Sequence, residues 1–189
     1  MEYRSIIAMR HSVRDFRPEP VAREKLEALV DAAGLAPSSG NEQPWRFYVT
    51  TGESRRHVGE IISQTTIHLA EFLDVMGEKG VANAAQWYSM LGNAPVLVAV
   101  ASPTSDDPLT RMTRQLSVGA AIENFLLAAV DEGLGACNIT YSHWVQDELA
   151  EALELPDGWA VLSVIAVGYP GAKPPFAPPH RPSDAVWLD

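Results

Sequence analysis

The sequence has few of the residues from which disulfides and metal sites are built. Its 189 residues include one cysteine, Cys137, so an internal disulfide and any zinc or iron–sulfur site made from several thiolates are excluded. The five histidines are scattered and show no H-E-x-x-H or comparable spacing. We therefore predict that the protein uses no metal.

Long apolar runs and an excess of positive charge are also missing. No apolar run approaches the ~18 residues of a membrane span, and the N-terminus lacks the apolar stretch of a signal peptide. We therefore expect a cytoplasmic protein without a membrane partner. The formal net charge of −10 argues against nucleic acid as a partner, because a protein that binds a duplex needs a basic surface to displace counterions.

What is present is typical of one folded domain. Hydrophobic residues make up 47% of the chain and charged residues 20%, which is ordinary for a globular protein. The length suits a single domain over residues 1–189 with a sizeable core. No internal repeat or linker interrupts it.

Positive charge is concentrated near the N-terminus, where the first 25 positions hold six of the 14 Lys and Arg residues. Arg10 and Arg14 lie four residues apart with Ser12 between them. Two guanidinium groups and a hydroxyl at this spacing can hold one phosphate or one ring edge. For Arg23 and Lys25 we prefer the simpler interpretation of a solvated helix start.

Apolar spacing predicts an alternation of helices and strands. Helical spacing covers residues 2–9, 21–35, 109–132 and 144–153. Residues 45–50 read as a strand, and residues 95–101 and 159–169 as strands buried on both faces. The helix at 109–132 is apolar on nearly all sides from residue 117 to 130, so we expect it to be either central or buried in a subunit interface.

The region from residue 52 to 91 is the least regular part of the chain. It has helical character with breaks expected around Gly77 and Gly80. Two interpretations of residues 63–91 stand level: a mobile cap over a site, or a helix that only fills space.

The loop at residues 36–45 is rich in residues that determine the backbone conformation. Pro37 ends the preceding helix, Gly40 allows a positive φ, and Pro44 favours extended geometry at Gln43. Between the prolines lie four neutral hydrogen-bonding side chains: Ser38, Ser39, Asn41 and Gln43. They could serve a planar polar ligand, or they could merely cap a turn, and locally both interpretations are equally good.

A dinucleotide site can be rejected at residues 133–140. Gly133 and Gly135 follow a helix rather than a strand, and a third glycine is missing. We predict instead a helix end, a tight turn and a short strand.

Four motifs, in this order and spacing, resemble the FMN-dependent nitroreductase family. They are Arg-His-Ser-Val-Arg at 10–14, Ala-Pro-Ser-Ser-Gly-Asn-Glu-Gln-Pro-Trp-Arg-Phe at 36–47, Gly-Leu-Gly-Ala-Cys at 133–137, and Gly-Tyr-Pro at 168–170 with a later Arg181. The first two together are specific, and the match spans essentially the whole chain. The resemblance implies an α+β fold, a mostly antiparallel sheet wrapped by helices, and an intertwined homodimer with two FMN sites at the subunit interface.

The resemblance also implies a role for each motif at the phosphate end of FMN. Arg10 and Ser12 would bind the phosphate and the ribityl chain, with His11 contributing mainly its backbone. Arg181 would complete the phosphate site, with His180 or Lys173 as possible assistants.

Around the flavin ring, the resemblance places Arg14 near the N1 and O2 edge, where reduction adds negative charge. The other subunit would contribute Pro37, Ser38 and Ser39 along the ring, with amide contacts from Asn41 and Gln43. The backbone of Asn138, Ile139 and Thr140 would pass near N5. The family commonly has an aromatic residue where Asn138 stands, so this side of the ring should be packed differently here.

The function implied is hydride transfer from NADH or NADPH to FMN N5, followed by reduction of a small-molecule acceptor such as a nitroaromatic, a quinone or another conjugated electrophile. No catalytic side chain is needed, because the flavin carries the redox chemistry. Two alternatives remain: a specialised flavin enzyme that desaturates or dehalogenates one metabolite, and a non-catalytic flavin-binding or storage module.

Overall fold

Four strands form one sheet: β1 (Arg46–Thr50), β2 (Val96–Pro103), β3 (Gly135–Ile139) and β4 (Trp159–Gly168). The structure, a computed structural model, describes residues 2–172 and 184–188. The strand order is β1-β2-β4-β3, and all three neighbouring pairs are antiparallel. The predicted antiparallel sheet and α+β class are confirmed.

Six α-helices surround the sheet: α1 (Tyr3–Met9), α2 (Arg23–Gly34), α3 (Gly52–Ser63), α4 (Leu73–Met90), α5 (Pro108–Asp131) and α6 (Gln146–Ala152), counted over the described residues. Short 3₁₀ turns join them at Ser39–Asn41, Gln64–Phe72, Leu91–Asn93 and Tyr141–Val145. The helix predicted at 144–153 therefore starts as a 3₁₀ turn and becomes α-helical only at Gln146.

The two central strands separate two hydrophobic clusters. Along β2, Val98 and Val100 face a cluster built with α2 and α5, while Leu97 and Ala99 face one built with α3 and α6. All four side chains are at most 1% exposed. The prediction that residues 95–101 and 159–169 form strands buried on both faces is confirmed. These strands form one side of each hydrophobic cluster.

The long helix α5 is close to its predicted bounds. Asp107 caps its start by accepting a hydrogen bond of 2.8 Å from the Thr110 amide, and Pro108 occupies the first turn, where its missing N–H is no loss. Phe125 is fully buried against the sheet. The N-terminal half of α5 has an exposed apolar face, on which Leu116 is 68% exposed. Within one protomer, α5 is thus covered on only part of its circumference.

Two local predictions meet different outcomes. The break at Gly77 is confirmed, with φ 67° and ψ 167° inside α4, whereas Gly80 lies in regular helix. The extended geometry expected at Gln43 is wrong, because its φ is +50°. Local hydrogen bonds outweigh the preference set by Pro44: the Gln43 amide donates to Ser38 Oγ (2.9 Å), and its carbonyl accepts from the Trp45 amide (2.8 Å).

No helix among the described residues combines the length and the apolar character needed to cross a bilayer. Within residues 2–172 and 184–188, no cluster of three or more His, Cys, Asp or Glu is arranged to hold a metal ion. From Pro170 onward the sequence contains six prolines, a composition that predicts an irregular tail, and most of this tail falls on residues 173–183, outside the described residues.

Candidate active site

Three motifs that are far apart in sequence meet at the outer edge of β3. Ser12 forms a parallel bridge with Ala136, and the Val13 amide donates to the Ala136 carbonyl over 3.0 Å. Farther along, Phe16 bridges Pro170 in antiparallel fashion. The segment that carries the N-terminal arginine motif therefore pairs first with the Gly-Leu-Gly strand and then with the Gly-Tyr-Pro segment. Its position is fixed by these contacts at the sheet edge.

A cleft of about 770 Å³ opens beside this edge. Arg14, Asn83, Asn138 and Thr140 provide its polar wall, while Trp87, Tyr88 and Tyr141 provide an aromatic one. No carboxylate is among the described residues that line it. One fixed positive charge, two amides and flat aromatic surfaces suit a planar group with a polar or anionic edge.

The aromatic wall is one end of a larger ring cluster. Tyr88 stacks on Tyr141 with centroids 5.4 Å apart, and Tyr141 lies 5.0 Å from Trp144. Phe72 stacks on Tyr141 at 5.5 Å. Burial raises the pKa of the Tyr88 phenol. The cluster ties α4 and the turn at Gln64–Phe72 to the turn after β3.

The single cysteine lies at the base of the cleft. Cys137 is 3% exposed, and burial raises the pKa of its thiol, while the Arg14 charge and a hydrogen bond with Ser12 act in the opposite direction. A thiol held neutral is a poor nucleophile. Burial therefore disfavours covalent chemistry at Cys137.

Asn138 and Ile139 are fixed from the neighbouring strand. The buried Ser163 hydroxyl hydrogen-bonds to Asn138 Oδ1 and lies 3.0 Å from the Ile139 carbonyl oxygen. Asn138 is exposed, whereas Ile139 is 1% exposed beneath the cleft. Of the three residues predicted to pass near a flavin ring, Asn138 and Thr140 line the cleft and Ile139 supports it.

Arg10 lies beyond the cleft wall and is paired with an acid. Its Nε lies 3.2 Å from Glu123 Oε1 on α5, with 29% of the arginine side chain exposed. His11 Nδ1 is 2.8 Å from the Met9 carbonyl oxygen, so its ring is used locally. Arg10, His11 and Ser12 therefore follow one another toward the cleft that Arg14 lines.

The amide-rich loop lies on the other side of the sheet. The Ser39 amide donates to Ser117 Oγ on α5 over 3.3 Å, and Glu42 pairs with Arg114 at 2.6 Å. Gln43 Nε2 donates to Asn41 Oδ1 over 3.3 Å, and Gly40 has the predicted positive φ of 58°. The remaining loop positions, Pro37 and Ser38, are likewise absent from the described cleft lining. Within one protomer, the structure does not bring this loop to Arg14.

Arg181, His180 and Lys173 were predicted near the phosphate, and all three lie outside the described residues. The sequence reasoning also missed cleft residues, above all Asn83 and Tyr141. A signal for the first was available: positions 80, 83, 84 and 87 recur at helical spacing and share one face of α4.

Taken together, the fold and cleft define an α+β protein whose antiparallel sheet carries, at its edge, a cationic and aromatic pocket for a flat organic group. The model of the family described as "Nitroreductase family" matches residues 7–169. The chain belongs to the nitroreductase family, as its motifs predicted, and is an oxidoreductase.

Individual relatives agree with this membership. The chain is 32% identical over 184 residues to the 5,6-dimethylbenzimidazole synthase of Rhodospirillum rubrum, an alignment that covers 91% of this chain and 83% of that protein. A BluB-like flavoprotein from Clostridium difficile 630 is 28% identical, with a TM-score of 0.77 and coverage of 96% and 95%. The FMN and NADPH-dependent nitroreductase NfnB from Sphigopyxis sp. strain HMH shares the fold at 22% identity, with a TM-score of 0.75 and coverage of 90% and 89%.

Proposed function

We propose that this protein transfers hydride from NADH or NADPH, through FMN bound at the Arg14 cleft, to a nitroaromatic, a quinone or a similar conjugated acceptor in two successive half-reactions. The protein is an NAD(P)H-dependent flavin oxidoreductase, and FMN is its cofactor. FMN, when bound, supplies the acceptance and donation of hydride at its N5 atom. The observation that carries the proposal is a cleft with aromatic walls in which Arg14 is the one charged side chain among the described lining residues.

The residues present fit such a group. A cleft of about 770 Å³ is within the usual range of ligand pockets, which is roughly 300–1,000 Å³. The aromatic rings offer flat surfaces, and Asn83, Asn138 and Thr140 offer neutral donors and acceptors for the polar rim of a heterocycle. A carboxylate would repel an anionic ring edge, and the described lining has none.

Arg14 has the main electronic role in this proposal. A guanidinium is a planar cation with five N–H donors, so it can contact a polar ring edge through charge and hydrogen bonds together. Held at the edge of the cofactor where reduction adds negative charge, it stabilises the reduced form by direct electrostatics. The chain's own residues therefore bind, orient and tune, and none acts as nucleophile or general base.

At the phosphate end of FMN, the proposed binding residues are Arg10, Ser12, His11 and Arg181. Arg10 suits this role because its contact with Glu123 uses Nε, which leaves the terminal nitrogens of the guanidinium for a second anion. His180 and Lys173 stay predicted assistants.

A homodimer would complete the cleft, and exposed apolar residues support it. On α5, Leu109, Met112 and Leu116 are 51–68% exposed, and on α1 Tyr3 is 67% exposed. Faces of this kind on packed helices mark association surfaces. In the dimer, the loop at residues 36–45 of one protomer would supply Pro37, Ser38, Ser39, Asn41 and Gln43 to the partner's cleft. The proposal also includes a single domain that spans residues 1–189 and a cytoplasmic location of the protein.

A second candidate is a specialised member that acts on one metabolite, by desaturation or reductive dehalogenation. The similarity to a 5,6-dimethylbenzimidazole synthase at 32% identity favours it, because that name denotes one dedicated reaction. Residues 63–91 would then set the specificity, since this segment supplies much of the aromatic wall. A broad acceptor screen separates the candidates: nitroaromatics and quinones should react readily under the first and only feebly under the second.

The decisive experiment is an anaerobic titration of the purified protein with NADH and NADPH in turn. The protein should be yellow or become yellow with added FMN, and at least one nicotinamide should bleach the flavin absorbance. Adding p-nitrobenzoate or a benzoquinone should restore it. A colourless protein that takes up no FMN, or a bound flavin that neither nicotinamide reduces, would refute the proposal.

A further inference from the structure

The backbone of Arg14 is held from two directions at its carbonyl oxygen. The indole Nε1 of Trp87, near the end of α4, donates a hydrogen bond of 2.9 Å to this oxygen. On the other side lies Gly92, where an added Cβ would run into the same oxygen and would come within 3.0 Å of the indole nitrogen. The Arg14 carbonyl thus lies in a narrow slot between the Trp87 indole N–H and Gly92. Any side chain larger than that of glycine at position 92 would collide with it.

The slot is built by an unusual turn at the end of α4. Leu91, Gly92 and Asn93 all have left-handed φ angles, of 51°, 61° and 64°. This turn presents the Gly92 carbonyl to the Phe16 amide, which donates to it over 2.9 Å. Non-glycine residues rarely adopt such angles, and they persist where surrounding structure imposes them. The turn therefore fixes the peptide between Asp15 and Phe16, while Trp87 fixes the peptide between Arg14 and Asp15.

Trp87 connects two parts of the site. Its ring lines the cleft and meets Tyr88 edge-on, with centroids 5.0 Å apart, while its nitrogen reaches the arginine motif. Burial raises the pKa of Tyr88 and Cys137, and the Arg14 charge acts against that rise at both groups. The guanidinium therefore lies close to the aromatic wall and to the base of the cleft, and its position depends on a backbone that Trp87 holds.

We propose that Trp87 is a positioning residue for Arg14: its indole N–H anchors the Arg14 carbonyl and so sets where the guanidinium stands in the cleft. This inference rests on the proposed function, in which the guanidinium stabilises reduced FMN. In this role, Trp87 affects the reacting edge of FMN only indirectly, through the position of Arg14. Without the anchor, the arginine samples a wider range of positions and stabilises the reduced cofactor less.

The test is the two-electron midpoint potential of bound FMN in Trp87→Phe, which keeps an aromatic ring but has no N–H. We expect the preference for reduced over oxidised FMN to fall by up to about tenfold, a limit set by the free energy of one hydrogen bond, which corresponds to a potential up to ~30 mV more negative. Trp144→Phe is the matched control, because Trp144 belongs to the same ring cluster but does not bond to Arg14. Its potential should stay at the wild-type value.

A double-mutant cycle identifies the route of the effect. Arg14→Gln alone should lower the potential, and adding Trp87→Phe to it should lower it no further, because the anchored charge is already gone. Equal shifts from Trp87→Phe in both backgrounds would overturn the inference, and so would a wild-type potential in Trp87→Phe. In either case FMN binding and the Arg14→Gln shift would leave the proposed function standing, whereas failure of the wild-type protein to bind FMN would sink that function first.

If Trp87→Phe does not fold, as judged by its thermal unfolding transition, position 87 can carry benzothienylalanine instead. This isostere keeps the two fused rings and replaces the N–H with sulfur. The same loss of up to about tenfold is expected, and an unchanged potential would again overturn the inference.

Discussion

The close approach at Gly92 gives a stability prediction whose two components can be separated. Gly92→Ala places a methyl group where φ is +61° and where the Arg14 carbonyl and the Trp87 nitrogen leave no room. The left-handed angle costs an alanine about 1–2 kcal/mol, and forced overpacking typically costs about 1–3 kcal/mol more. We expect Gly92→Ala to lower the free energy of unfolding by about 3 kcal/mol.

Gly158→Ala isolates the first component. Gly158 has a φ of +75°, but an added Cβ there would have no heavy atom within 4 Å. Its cost should therefore be the backbone strain alone, about 1 kcal/mol.

The measurement is urea unfolding of the cofactor-free protein, with all variants at one protein concentration, because association would otherwise shift the midpoints. The slope of free energy against urea should stay the same, and the midpoints should fall in the order wild type, Gly158→Ala, Gly92→Ala. If Gly92→Ala loses no more than Gly158→Ala, the Arg14 peptide moves aside freely. The slot is then not rigid, and the reasoning is refuted.

Three further predictions address the site and its assembly. Arg10→Ala should weaken FMN binding about 10- to 100-fold through loss of a charge-assisted contact, as measured by quenching of flavin fluorescence; equal retention in Arg10→Ala and in the exposed control Arg23→Ala would contradict the role of Arg10. If the proposed homodimer forms through the exposed face of α5, Leu116→Glu should yield a monomer in light scattering, while Ile67→Glu, at a residue 75% exposed, should not; a dimer that survives Leu116→Glu would place the interface elsewhere. Because burial raises the pKa of Cys137, this thiol contributes stability that is fully present below its ordinary pKa of 9.0 and is lost at higher pH. The free energy of unfolding should fall more steeply above pH ~9 in the wild type than in Cys137→Ala, and parallel pH profiles would speak against a buried neutral thiol.

Local patterns in the sequence predicted most of the elements. Strands β2 and β4 are mostly apolar runs, as expected for strands covered on both faces, and α5 shows helical spacing over residues 109–132. These signals lie within one element, so a single sequence is enough to read them. The break at Gly77 is of the same kind.

What the sequence could not supply is contact between distant segments. Arg10 and Glu123 are 113 positions apart, and nothing local links Trp87 to the Arg14 carbonyl. The positive φ of Gln43 was missed for a related reason, because it depends on a hydrogen bond from its amide to Ser38 rather than on the adjacent proline. Cleft residues on α4 had a visible spacing, but only the fold shows which face meets β3.

The position of residues 12–16 has one more consequence, for the integrity of the sheet. Since β3 is one of the two outermost strands of the sheet, the segment that carries Arg14 also occupies backbone groups that would otherwise be free to recruit a strand from another molecule. The same short peptide thus carries the arginine of the cleft and covers part of the sheet edge. A chain without it would expose the outer edge of β3 to pairing with other molecules.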